Sequence, residues 1–391
     1  MKSAISRRYF LYASLGATLS QILGGCSNSA TITQILFLEN SIPVQLIKDF
    51  QKTLKSDNKT DFQPQNQFKQ IFDSLTRWQQ SKNEDKKTQG LIDKILNRPI
   101  IYPSVTSLGD FWLSDAIEQN LIKPLAINNL AGWQKLPKTW QQLVQRNQQG
   151  YLTQEGTIWG APYRWGSTVI AYQSKKLEKL NITIKDWQDL WQPELRDRLS
   201  LLDSYREVIG LTLKKMGYSY NTQNINSISN LEKELLALHK QTKLYSSDRY
   251  LEPLVLGDTL VAVAWSSDIL PILKQYPEIK FIIPPSGTSL WADIWVEPQI
   301  SQVSNKDHNQ ALINSWIDFC WQSKAAQQIS LFTSGISPIT RSLKRSELST
   351  DLQDNVFINS EVLYSEKSEF LLPLEPAINQ QYRDLWLKIR Q

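Results

Sequence analysis

Only two cysteines, Cys26 and Cys320, and two histidines, His239 and His308, occur in the 391 residues. A disulfide framework, a zinc cluster or a histidine-based proton relay therefore has almost nothing to be built from. No stretch after residue 30 approaches the roughly 18 to 20 consecutive apolar residues of a membrane-spanning helix. An excess of one charge is missing too. Of the formal net charge of +5, Lys2, Arg7 and Arg8 lie in the first 25 residues, which hold no acid, so the remainder is within two charges of neutrality. That is not the basic footprint of a nucleic-acid binder. No internal repeat occurs, nor a G-x-S-x-G, H-E-x-x-H or paired Cys/His spacing, which weakens the case for an envelope enzyme. What remains is the composition of a globular protein, 41% hydrophobic and 21% charged, long enough for two domains with sizeable cores.

The first 25 residues read as an export signal, with a basic start and a mildly apolar stretch from Tyr9 to Leu23. Ser6, Arg7, Arg8, Tyr9, Phe10 and Leu11 match the S-R-R-x-F-L pattern of twin-arginine signals, which direct folded proteins across a bacterial membrane. The following Leu23, Gly24, Gly25, Cys26 resembles a lipobox, whose small residues admit a peptidase to the bond before a cysteine that is then acylated. Cys26 is thus the expected lipid anchor, and residues 26–31 the anchored linker. A plain cleavable signal with an incidental cysteine is the alternative. Cys320 lies among Trp316, Ile317, Phe319 and Trp321 and reads as a buried thiol acting as a small hydrophobe.

From Ile32 onward, short apolar runs alternate with helical patterns. Strands are expected at Ile32–Leu38, Ile100–Tyr102, Val169–Tyr172, Ser200–Leu202, Leu260–Trp265 and Lys280–Ile283. Helices are expected after Pro43 and at Val208–Met216, Ile228–Lys240 and Ala311–Trp321. Such alternation argues an α/β fold. The polar stretches 55–67 and 82–89 read as solvated loops or exposed helix faces. Of fourteen tryptophans, those in helical patterns (Trp187, Trp191, Trp316, Trp386) read as packing residues. Trp112, Trp165, Trp265, Trp291 and Trp295 stand where strands give way to loops, the place where open α/β sheets bind ligands.

Two long segments carry a family resemblance. The first runs from Gly160 to Thr222 and contains GAPYRWGSTVIAY, DWQDLWQPELRDRLSLLD and REVIGLTLKKMGYSYNT; the second is AVAWSSDILPILKQYPEIKFIIPPSGTSLWADIWVEP, Ala262 to Pro298. They resemble the periplasmic spermidine/putrescine-binding proteins of ABC importers, collinearly from about Ile32 to the C-terminus. The resemblance implies a type II periplasmic binding protein fold, two α/β lobes with a ligand cleft between them. Lobe 1 is expected from residues 32–155 and 290–335, lobe 2 from 156–289 and 336–391.

It also implies site residues. The ligand carboxylate of the R-E-V motif falls on Glu207, while a second family carboxylate falls on Ser204, with Asp203 adjacent as a substitute. Trp265 matches the cleft tryptophan before a polar loop, Ser247 the serine that meets the amine, and Trp291 and Asp293 the W-x-D pair. Phe111 stands where the family has tyrosine. The family's acidic and aromatic cluster after the first strand is replaced by Leu38 to Ser41, where Glu39 is the remaining charge; Trp165 is a further candidate wall. A linear polyamine is a multiply charged cation on a methylene chain, and carboxylates with aromatic walls answer that chemistry through charge-assisted hydrogen bonds and cation–π contacts. Taken without the resemblance, Glu207 and Arg206 read as an ordinary first helical turn and Asp293 as a loop cap.

The leading expectation is a lipid-anchored, monomeric receptor that catalyses nothing, binds no nucleic acid and needs neither metal nor cofactor. It would deliver a polyamine or other small amine to ABC permease subunits. Loss of a carboxylate at Ser204 keeps open the same fold with a smaller or less charged solute, or a neutral or anionic one met by Arg206 or Arg164. A ligandless envelope protein is the remaining alternative.

Overall fold

A computed structural model describes residues 32–55, 59–81, 103–299 and 306–391. The leader with Cys26, the strand expected at 100–102, the loop at 82–89 and the side chain of His308 lie outside the described residues. Among the described residues thirteen strands follow in chain order: β1 Ile32–Leu38, β2 Lys59–Gln65, β3 Val105–Gly109, β4 Ile122–Lys123, β5 Gln145–Arg146, β6 Thr157–Ile158 and β7 Ala161–Gln173, then β8 Leu199–Leu201, β9 Thr242–Tyr245, β10 Val261–Trp265, β11 Ile279–Ile282, β12 Ser289–Pro298 and β13 Glu369–Phe370. The described residues pack as one compact unit.

Eleven strands join one sheet, ordered β2-β1-β3-β12-β7-β10-β8-β9, with β4 and β13 on β12 and β11 on β7. β7 organises it. Its first half pairs antiparallel with β12, and its second half with β10 and β11. β1 lies parallel to β2 and β3, and β8 parallel to β9 and β10, so each end of the sheet is built of parallel strands, with antiparallel pairings at the centre. The central strands β7 and β12 are buried along nearly their whole length, as strands covered on both faces must be.

Two apolar clusters flank the sheet. The larger gathers residues of β1, β3, β7 and β12 with the helices Val44–Thr53 and Lys306–Cys320, including Phe50, Trp316 and Cys320. The smaller packs the helices Tyr205–Lys215, Leu231–Gln241 and Pro376–Ile389 through Val208, Leu238, Tyr382 and Trp386. Cys320 is buried and free, and burial pushes its thiol pKa well up.

Two expectations need correction. Residues 59–65, read as part of a solvated loop, form β2, whose polar sequence KTDFQPQ suits its place at the end of the sheet. An edge strand has half its backbone unpaired and tolerates proline, here Pro64. Trp165 and Trp295, read as cleft tryptophans, are fully buried core residues. Trp165 sits edge-on to Trp140 and Tyr364, while Trp295 stacks on Tyr163 at 4.5 Å and meets Trp316 edge-on. Because Trp295 fills the centre of the larger cluster, Trp295→Ala is expected to cost about 3–5 kcal/mol of stability. Urea unfolding checks this, and a loss under about 1 kcal/mol would mean the core closes over the gap.

Candidate functional site

Side chains on a strand alternate faces, and cross-strand partners share a face. In the β7–β12 register Asp293 lies opposite Arg164 and Trp291 opposite Gly166; one step further along the same face stand Thr168 and Ser289. Thr168 is in turn opposite Trp265 of β10. A polar stripe thus crosses the middle of the sheet, spanning roughly 13 Å along the strands from Ser289 to Asp293. Trp165, between Arg164 and Gly166, must point to the other face, which is why it lies in the core.

Glu207 closes one end of the stripe. It belongs to the first turn of the Tyr205–Lys215 helix, where Ser204 is the N-cap, its hydroxyl accepting from the Glu207 amide at 3.4 Å. The carboxylate accepts from the Thr168 hydroxyl at 3.1 Å, the Ser289 hydroxyl at 2.7 Å and the Trp265 indole N–H at 3.4 Å. All three donors are neutral. Burial pushes the Glu207 pKa up, against the bonds from Ser289, Trp265 and Thr168 and the nearby charge of Arg206. No cation among the described residues comes within ion-pair distance of it. Arg206 is committed elsewhere, donating to the Leu372 carbonyl and the Asn221 side chain at 2.8 Å each, over the Tyr382 ring. Trp265 is held in turn: its backbone N–H donates to the Tyr250 hydroxyl, which donates to Asp268.

The middle of the stripe is the Trp291 indole lying on Gly166. A Cβ there would come within 2.3 Å of the indole and 2.4 Å of the Ser266 hydroxyl, so only glycine leaves room for the ring. At the far end Asp293 Oδ2 stands 3.3 Å from Arg164 Nε, both side chains almost wholly buried, and the guanidinium sits 5.3 Å from the Trp291 ring centroid. The pair lacks hydrogen-bond alignment, so Arg164 Nε and Asp293 Oδ2 have no hydrogen-bond partner, nor does Trp291 Nε1. Burial raises the Asp293 pKa to about 6, with Arg164 opposing.

Asp110, missed in the sequence, belongs to the same end. It follows β3, is buried, and accepts from the Ala292 backbone N–H at 2.9 Å. Burial pushes its pKa to about 7; the Ala292 bond and the charge of Arg146 oppose this and the charge of Asp293 adds to it. A charged residue directly after a wholly buried strand was the available signal. Thr168 and Ser289 were likewise unremarked, although polar residues inside two apolar strands mark the stripe.

Other expected residues lie apart. Asp203 is 46% exposed and pairs with Arg390 at 2.7 Å, so the one-residue shift from Ser204 turns its carboxylate away from Glu207. Ser204 itself is spent on capping. Phe111 is 47% exposed and touches Trp112 edge-on at 5.9 Å. Glu39 is exposed in the turn after β1, where Asn40 takes a positive φ of 62°. Its neighbour Ser41 is buried and bonds the Tyr163 hydroxyl at 2.9 Å. Ser247 is half-buried in the loop after β9. Asp293 stands within β12 rather than capping a loop.

The fold is that of a type II periplasmic binding protein, two α/β lobes joined through a shared sheet. It is similar to the spermidine/putrescine ABC transporter substrate-binding protein PotD from Streptococcus pneumoniae, with a TM-score of 0.72 over 92% of this chain and 98% of that one at 17% identity. Thiaminase I from Bacillus thiaminolyticus shares the architecture, with a TM-score of 0.58 at 10% identity, covering 92% of this chain and 99% of that one. In sequence, the model of the bacterial extracellular solute-binding protein family matches residues 102–357. The chain belongs to that family. It is 30% identical over 156 residues to the spermidine/putrescine-binding periplasmic protein of Salmonella typhimurium, 40% of this chain and 44% of that protein. The matched stretch is thus under half of that relative's length.

The two raised carboxylates at the far end fix a pH dependence. Native Asp110 and Asp293 hold protons that the unfolded chain releases near the ordinary value of 3.8. Their contribution to stability is full below that pH and is lost as pH rises through about 6 for Asp293 and about 7 for Asp110. Asp110→Asn keeps an oxygen for the Ala292 N–H and removes the titration. Its melting temperature is expected to fall less than that of the unaltered protein between pH 4 and 7, as scanning calorimetry would read; parallel profiles would refute the assignment.

Proposed function

We propose that this protein is an extracytoplasmic receptor that captures a small cationic amine, a polyamine such as putrescine or spermidine, and hands it to the permease subunits of an ABC importer. The observation that carries this reading is Glu207, a buried carboxylate held by three neutral donors and paired with no cation among the described residues. An uncompensated buried anion is costly, and an ammonium group arriving beside it relieves that cost. Trp265 and Trp291 offer faces for the methylene chain and for cation–π contact. The names borne by the relatives, which speak of spermidine and putrescine binding, agree with this chemistry.

Catalysis has no part in the reading. An enzyme shares the architecture, so fold alone does not decide. Lobes formed from residues 32–155 with 290–335, and 156–289 with 336–391, would close over the solute and exclude water. After export through the twin-arginine signal, an acylated Cys26 would hold the monomer to the envelope membrane. Among the described residues no helix is long and apolar enough to cross a membrane. A less charged solute on the same fold is the second reading, favoured by the commitment of Asp203 to Arg390 and of Ser204 to its cap.

Two tests follow. In a thermal-shift panel of diamines, triamines, amino acids and small anions, amines alone are expected to raise the midpoint, and Glu207→Gln to abolish the effect. A shift with anions only would overturn the amine reading. In a bacterial host, the protein is expected in the membrane fraction, and Cys26→Ala in the soluble envelope fraction; identical partition of the two would remove the anchor.

A further inference from the structure

Glu207 and Asp293 are both buried acids on one polar stripe, yet their circumstances differ. Glu207 has neutral donors alone. Asp293 has a cation already, the Arg164 guanidinium at 3.3 Å, stacked toward the Trp291 ring at 5.3 Å. Arg164 thus occupies the position, between a carboxylate and an indole face, that an ammonium group would take. The guanidinium is also fixed from behind. A Cβ on Gly335 would come within 2.5 Å of Arg164 Nε, so the loop after the Ser323–Phe332 helix presses its backbone against the side chain, and the Trp165 and Ile336 backbones bond each other at 2.8 Å in both directions.

We infer that Arg164 is a specificity-determining residue, a built-in cation that bars a second ammonium from the Asp293 end of the stripe, so that the site selects a solute with one ammonium, at Glu207, and a neutral hydrogen-bond acceptor at its other end. This rests on the amine-receptor reading and narrows it. A second ammonium at the Asp293 carboxylate would meet an arginine that is always charged and that already pairs with it. An acceptor there meets the opposite situation. Arg164 Nε and Trp291 Nε1 are buried nitrogens without hydrogen-bond partners, so a neutral acceptor at this end answers donors that an ammonium group would only repel or leave unpaired. A carboxylate end fits less well, because Asp293 stands beside the same guanidinium and offsets its charge.

Isothermal titration of the purified protein with three probes built on one four-carbon amine decides the matter: 1,4-diaminobutane, its mono-N-acetyl derivative and 4-aminobutanoate. The acetylated amine is expected to bind at least about tenfold more tightly than the diamine, with 4-aminobutanoate weaker than the acetylated amine. Arg164→Met, which keeps much of the volume and frees Asp293, is expected to reverse the order in favour of the diamine. Arg164→Lys, which retains a charge, is expected to keep the preference for one ammonium. The unaltered protein binding the diamine as tightly as its acetyl derivative would overturn the inference while leaving the amine-receptor reading intact, whether or not Arg164→Met folds. Tightest binding of 4-aminobutanoate would overturn the neutral-acceptor assignment. No binding of any of the three, with no change on Glu207→Gln, would overturn both.

Discussion

Everything at the centre of this protein depends on how β7 is paired with β12. Because side chains alternate along a strand, one register sets Arg164 against Asp293 and Gly166 against Trp291, and leaves Trp165 and Ala292 for the opposite face. A slip of one residue would send the tryptophan toward the polar stripe and bury a guanidinium among Trp140 and Tyr364. The apolar core on one face therefore enforces the polar arrangement on the other. The same two strands carry the sheet from its β1–β3 end to its β8–β10 end, so the stripe lies at the middle of the sheet.

Burial of charge is the second constraint. Glu207, Asp293, Asp110, Arg164 and Arg146 are all nearly inaccessible, and each is stabilised differently. Glu207 relies on neutral donors, Asp293 on an imperfectly aligned ion pair, Asp110 on a backbone amide, and Arg146 on the carbonyls of Leu143 and Gly150. A core of the same size built of aliphatic residues would be easier to stabilise. Buried ionisable groups in such number are commoner at functional sites than in ordinary packing.

Much of the architecture was legible in the sequence because it follows from local patterning. The alternation of short apolar runs with helical segments, and the long segments from Gly160 to Thr222 and from Ala262 to Pro298, pointed to a two-lobed α/β protein. β2 was not legible, since an edge strand needs no apolar run and KTDFQPQ resembles a loop. At the site, Glu207, Trp265, Trp291 and Asp293 were singled out, and the structure gathers them along one stripe. Asp203 and Trp165 were singled out as well, and they are elsewhere for reasons of direction: one position along a turn, or one along a strand, reverses where a side chain points. Arg164 was legible as a residue but not in its part, because a cation fourteen residues after Gly150 gives no sign of the aspartate 129 positions later that faces it across the sheet. Long-range pairing is the information that local pattern lacks.

The hydroxyls of Thr168 and Ser289 lie 2.8 Å apart, each also against Glu207, and the Trp265 indole reaches the same carboxylate from a third strand. Groups so tied have given up their rotational freedom during folding, before any solute arrives. The entropy of ordering them is thus charged to the protein's own stability and not to capture, leaving the solute to lose chiefly its own motion. A site made this way would trade a less stable free state for tighter retention once loaded.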